Sequence, residues 1–282
     1  MNRRRFLAGS AASAGIGLPA LARVAEPFRL GLTPVFLDND AVVIERLRSA
    51  LSQALGEPVD LIQRRTYQEI TASLLDGSVD AAWICGYPFL QHGDSLSLLG
   101  VPVWRGRPLY QSYLIVRHDD AALRLEDLRG DVHAFSDPDS NSGYLVTASD
   151  IARLGETPER FFSRSIFTYG HRNVVRAVAG GLTRSGSVDG YVWETLARVE
   201  PSLTERTRVV TQSEWLGFPP FAARADRATD PLVRQFGAAL RGLDASAAGR
   251  DALRQLFLDR VQHGDPGLFD GIAARMAEVP RR

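Results

Sequence analysis

Short apolar runs along the chain alternate with longer stretches in which apolar residues return every three or four positions. Phe28-Arg29-Leu30-Gly31-Leu32-Thr33 reads as a first strand, stopped by Pro34. From Ala41 to Leu55 the apolar residues Val42, Val43, Leu47, Ala50, Leu51 and Ala54 recur at helical spacing, and Gly56 ends the run. Residues 59–64 read as a second strand, 67–75 as a helix closed by Gly77, and 80–85 as a third, apolar strand. Residues 96–104 look extended, and 110–116 carry a strong strand pattern. The alternation then restarts: strands at 132–135, 166–168, 187–192 and 206–211, with helices at 142–154, 172–179 and 193–199 between them. Pro219 and Pro220 hold 218–224 extended, and the remainder is helical over 232–243, 247–258 and 268–277.

Strands alternating with helices predict βαβ units and parallel sheets. Each of the two blocks is too short for a large sheet, so the pattern predicts two lobes. Extended crossings near 105–116 and 212–224 would join them, and the C-terminal helices would return to the first. The expected division is 23–110 with 219–282 for one lobe and 111–218 for the other. In such an α/β protein a ligand belongs in the cleft outside the carboxyl ends of the strands.

Composition narrows the chemistry. The chain has 282 residues and a formal net charge of zero, which carries no nucleic-acid footprint. It contains no lysine, so Schiff-base chemistry and a P-loop are excluded. Met1-Asn2-Arg3-Arg4-Arg5-Phe6-Leu7, then a small-residue apolar run to Ala20-Leu21-Ala22, reads as a twin-arginine export signal cleaved near Ala22. No cysteine stands near that site to carry a lipid anchor, so a periplasmic mature chain is expected. Cys85 is the one cysteine; it excludes an intramolecular disulfide and, in an apolar run, reads as a buried small hydrophobe. The five histidines, at 92, 118, 133, 171 and 263, lack metal-ligand spacing, and no cofactor is expected.

The densest candidate chemistry is Phe135-Ser136-Asp137-Pro138-Asp139-Ser140-Asn141-Ser142-Gly143-Tyr144, which reads as a strand end, a proline turn and a helix start. Ser140, Asn141 and Ser142 are all good N-cap residues. A helix start offers unpaired N–H groups and a positive partial charge, so hydroxyls, an amide and backbone donors here can converge on a tetrahedral oxyanion. A plain, hydrated cap is the alternative. Other polar and aromatic residues fall at strand-to-helix junctions: Phe36, Tyr67 and Tyr87 in the first block, His171 and Asp189 in the second. Tyr67 and Tyr87 are either cleft walls or interlobe packing. His171 is an oxygen donor or a helix cap. Asp189 is a solvated turn residue, or it accepts a proton from a monoprotonated anion or pairs with a ligand amine. Ser142, His171 and Asp189 also make a hydrolase trio conceivable, although no nucleophile-elbow, zincin or dinucleotide motif accompanies them.

Taken together, Ser136 to Tyr144 with Phe161-Phe162, Gly170-His171, Val188-Asp189, Tyr67-Gln68-Glu69-Ile70 and Gly77 to Trp83 resemble the periplasmic substrate-binding proteins of phosphate/phosphite/phosphonate ABC importers. The resemblance spans nearly all of the mature chain. It implies a type II periplasmic-binding fold that closes on its ligand, no catalysis, and an ABC permease in the inner membrane as partner. Carried onto this sequence, it puts the ligand's oxygens on Ser140, Asn141, Ser142 and the Gly143-Tyr144 helix start, with His171 as a further contact. It also implies cleft tyrosines at Tyr67 and Tyr87, and an acidic side at Asp189, with Glu214 a looser match. The resemblance implies a phosphonate-, phosphite- or phosphate-like oxyanion as ligand; Asn141 stands where aminoalkylphosphonate binders commonly carry threonine, which leaves the exact anion open. Sulfonate, carboxylate or cofactor-precursor binding, or a sensor role, are the alternatives. A monomer is the default, with no nucleic acid.

Overall fold

The computed structural model of the chain describes residues 26–34 and 41–279. The export-signal segment through Ala22 and the candidate Phe36 lie outside the described residues. In order, the first half holds β1 (Phe28–Leu32), α1 (Ala41–Leu55), β2 (Val59–Gln63), α2 (Tyr67–Leu75), β3 (Ala81–Trp83), α3 (Gly86–Gln91), β4 (Leu96–Val103), β5 (Leu109–Tyr110) and β6 (Ser112–Arg117). There follow β7 (Val132–Phe135), α4 (Val146–Arg153), α5 (Pro158–Phe161), β8 (Arg164–Phe167), α6 (His171–Ala179), β9 (Ser185–Asp189), α7 (Gly190–Val199), α8 (Pro201–Thr204) and β10 (Thr207–Gln212). The chain ends with β11 (Leu216–Gly217), β12 (Phe221–Arg224), α9 (Pro231–Arg241), α10 (Ala247–Gln255), β13 (Arg260–Gln262) and α11 (Asp270–Glu278).

Two sheets form the lobes. The first runs β13-β4-β12-β3-β1-β2 and the second β10-β6-β9-β7-β8. One side of each sheet is parallel as expected, with β1 between β3 and the edge strand β2, and β7 between β9 and the edge strand β8. The other side of each sheet is antiparallel, which the strand–helix alternation did not predict. The reason is directional: β12 and β13 reach the first sheet after the chain has returned from the second lobe, and β6 enters the second sheet from the crossing. The two crossings pair as a small ribbon of their own, Leu216 beside Tyr110 and Gly217 beside Leu109.

Local differences from the sequence pattern have local causes. The run read as one strand over 110–116 breaks at Gln111, where the chain leaves the crossing ribbon for the second sheet. The strand read over 187–192 stops at Asp189, whose carboxylate Oδ1 accepts from the N–H groups of Tyr191 at 2.8 Å and Val192 at 3.3 Å and so starts α7. β13 and α3 are too short to show a period.

The last helix, α11, touches both lobes. Gly86 at the head of α3 lies so close that a Cβ there would sit 2.6 Å from Ile272 Cδ1, and Phe89 packs on Phe269 with ring centres 5.2 Å apart. On the opposite side, buried Arg275 bonds Val146 O (3.1 Å), Ser149 Oγ (2.6 Å) and Asp150 Oδ1 (2.8 Å) of α4. It also pairs with Glu214 on the returning crossing at 2.6 Å.

Candidate ligand-binding site

The loop after β7 folds back on itself. Ser136 N–H donates to Gly143 O (3.1 Å), Ser140 N–H to Asp137 O (3.0 Å), and Gly143 N–H to Ser140 Oγ (3.0 Å). Only glycine fits at 143, because a Cβ there would stand 1.7 Å from Ser136 Oγ. The helix expected from Ser142 begins instead with a wide π-type turn over Asn141–Leu145, closed by Leu145 N–H on Ser140 O at 3.0 Å. Such turns recur at functional sites. Ser112 of β6 braces the turn by donating to Ser142 O at 2.6 Å.

The first lobe meets this loop directly, and the cleft is shut. Tyr67 N–H donates to Asp137 Oδ2 (3.1 Å), and Asn141 N–H donates to Cys85 Sγ (3.2 Å). Tyr67 is held by a capping box in which Thr66 accepts from Glu69 N–H at 3.1 Å. Its hydroxyl lies 3.1 Å from His171 Nε2. Asp189 N–H donates to His171 Nδ1 at 3.1 Å, which makes Nδ1 the acceptor and places the ring proton on Nε2. His171 therefore donates to the Tyr67 oxygen, and the phenolic proton of Tyr67 is not used in that bond. Burial drives the His171 pKa down to about 3, so the ring is a neutral donor.

Sequence reasoning missed Tyr110. Its buried hydroxyl accepts from Asn141 Nδ2 at 2.8 Å and is also bonded by the Ser142 side chain. The available signal was an aromatic residue at the start of a crossing, masked by the strand pattern around it. Cys85 is buried as expected and its thiol is pushed up to about 12, which removes it as a nucleophile. Asp189 caps α7, yet burial outweighs those two N–H groups and raises its pKa to about 7. Tyr67, Ser140, Asn141, Ser142, His171 and Asp189 are each no more than 3% exposed. Among the described residues no guanidinium hydrogen-bonds any of these six side chains.

The remaining sequence candidates stand apart from this cluster. Tyr87 and Tyr144 line a neighbouring cavity of about 990 Å³ with Pro138, Asp139 and Met276 of α11. The Tyr144 ring packs in the second lobe's core, 5.0 Å from Phe135 and 5.8 Å from Phe167. Glu214 is taken by Arg275. The hydrolase trio does not assemble, because His171 Nδ1 receives the Asp189 backbone N–H and Nε2 faces Tyr67.

Residues 30–267 match the family model for the phosphonate ABC transporter periplasmic substrate-binding protein. The chain belongs to this family. This binding protein is 26% identical over 186 residues to the phosphate-import protein PhnD of Mycolicibacterium smegmatis, covering 61% of its own length and 58% of that relative. It thus spans little more than half of the curated relative that it matches. A binding component of an ABC phosphonate transporter from Pseudomonas aeruginosa superposes with a TM-score of 0.81 at 21% identity, over 89% of this chain and 86% of that one. PhnD1 of Prochlorococcus marinus, solved in complex with methylphosphonate, gives 0.77 at 14% identity, over 89% and 97%. These likenesses give the binding protein the type II periplasmic-binding fold.

Proposed function

We propose that this chain captures a phosphonate-, phosphite- or phosphate-like oxyanion in the interlobe cleft and delivers it to an ABC permease of the inner membrane. It acts as a periplasmic monomer, exported through the segment cleaved near Ala22, with lobes 23–110 plus 219–282 and 111–218. The observation that carries the reading is the buried Ser140-Asn141-Ser142 turn facing Tyr67, Tyr110 and His171. A turn that opens a helix gathers hydroxyl, amide and backbone donors, and neutral donors suffice for one buried negative charge when water is excluded. Family membership supports a binding role over a catalytic one.

The test is differential scanning fluorimetry of residues 23–282 against phosphate, phosphite, methylphosphonate, sulfate and an alkylsulfonate. A saturating stabilisation by a phosphorus oxyanion is expected, because binding the native state alone raises its stability. In titration calorimetry Ser142→Ala should weaken that ligand by about 1–3 kcal/mol, the cost of losing a buried charge-assisted bond. Unchanged affinity would remove Ser142 from the site.

A further inference from the structure

The inner site pulls on an anion only at short range. Its donors are neutral, and the carboxyl groups of Asp137 and Asp189 stand beside them. Residues 23–282 hold 30 arginines against 33 acidic residues, so the overall charge of that stretch also opposes an approaching anion. A point charge, by contrast, acts across about 10 Å at 0.1 M salt, well beyond hydrogen-bond reach.

The outer end of the cleft is built differently. A cavity of about 570 Å³ lies there between the β2–α2 turn of the first lobe and the β8–α6 turn of the second. β2 and β8 are the edge strands farthest from the two crossings, so a hinge at the crossings parts the lobes most widely at this end. The cavity walls are chain neighbours of the Tyr67–His171 pair: Thr66 precedes Tyr67, and Tyr169 stands two residues before His171. Arg64 and Arg65 line the first wall, and both are exposed. Arg64 Nη1 donates to Gln63 O at 2.9 Å, and among the described residues neither guanidinium pairs with a carboxylate. Glu69, the acid in that wall, is engaged by the N–H groups of Arg65 (2.8 Å) and Thr66 (3.4 Å). The facing wall, Thr168, Tyr169 and Asn173, is neutral. It is pinned by Thr168 Oγ1 donating to Gly170 O (3.0 Å) and Asn173 Nδ2 donating to Thr168 O (3.1 Å), and Tyr169 is held in a left-handed backbone, φ 51°. Such a backbone is uncommon for a bulky residue and clusters at ligand clamps. The mouth therefore carries two guanidiniums against one carboxylate.

Resting on the oxyanion reading above, we infer that Arg64 and Arg65 form an outer capture site, which draws the incoming oxyanion to this mouth before it passes inward to the neutral donors. Two tasks are thereby divided. The guanidiniums set how fast the anion is caught, and the Ser140-Asn141-Ser142 turn sets how slowly it is released.

The experiment is stopped-flow tryptophan fluorescence of the mature chain with phosphate, phosphite and methylphosphonate, from about 10 to about 300 mM NaCl. An association rate that falls as salt rises is expected. Arg64→Gln with Arg65→Gln should lower that rate about fivefold at low salt, flatten its salt dependence and leave the release rate within about twofold. Arg64→Lys with Arg65→Lys keeps both charges and should restore the wild-type rate. Arg234→Gln with Arg260→Gln removes the same charge from α9 and β13, at the opposite edge of the first sheet, and should change little. An association rate untouched by the glutamine pair at Arg64 and Arg65, or a loss that the Arg234 and Arg260 pair reproduces, overturns the inference while leaving oxyanion binding in place. A loss carried wholly by faster release does the same. Binding of none of the three anions overturns the oxyanion reading and the capture site together.

Discussion

Gly143 closes the loop after β7, since Ser136 Oγ occupies the space that any side chain there would need. Gly143→Ala is expected to spread the turn and destabilise the fold by about 1–3 kcal/mol, the usual range for overpacking. Urea unfolding measures this, and affinity for the oxyanion should fall in parallel. Asp189 makes a second prediction with a defined sign. Its folded pKa of about 7 lies above the ordinary carboxyl value, so the folded chain holds this proton more tightly than the unfolded one. Its contribution is complete at acid pH and is lost as pH rises through 7. His133, buried between Ser185 and Ser187, and His171 act oppositely: both are held near 3, and stability is lost as pH falls from about 6.5 toward that value. In denaturant titrations at pH 5 to 8, wild type should therefore lose ground to Asp189→Asn as pH rises. Parallel curves would mean that Asp189 is an ordinary carboxylate. Ser140, Asn141, Ser142, Tyr67, His171 and Asp189 were legible in the sequence because N-capping chemistry is local and a strand end fixes where it points. Tyr110 was not, because the Asn141 amide that it accepts from lies 31 residues away, across the crossing.

Among the elements, α11 has the widest reach. Ile272 and Phe269 seat it on the first lobe, and Arg275 binds α4 of the second together with Glu214 of the returning crossing. Arg275→Leu should cost about 1–2 kcal/mol, because Asp150 and Glu214 are 39% and 49% exposed and water takes over much of their solvation. The informative readout is shape: small-angle scattering should show a more open ligand-free protein, and an unchanged profile would make Arg275 purely structural. The helix itself was legible as an apolar run, but its double role was not, since Arg275 in sequence is one arginine among many. β13 was invisible for a related reason: a three-residue edge strand leaves no period and exists through pairing with β4.

For the whole molecule, the two-lobe plan followed from restarting the strand–helix alternation, while the mixed strand directions followed from the chain's return path, which alternation does not encode. The ribbon of β5 and β11 carries the covalent connection between lobes, and Ser112 and Ser213 extend it by exchanging backbone and side-chain hydrogen bonds at 2.9 Å. That return path also sets an order of assembly. β12 lies between β3 and β4, with Phe221 beside Trp83 and Gly100. The first sheet therefore keeps a vacant slot during synthesis until residues 221–224 emerge, although β1 to β4 are the earliest strands made. The second sheet draws all five strands from one unbroken stretch, 112–212, and can close before the first. Contacts distant in sequence form slowly. The lobe that begins the chain is thus the last to be finished, and until then its unpaired β3 and β4 edges are the part of the nascent protein most open to mispairing.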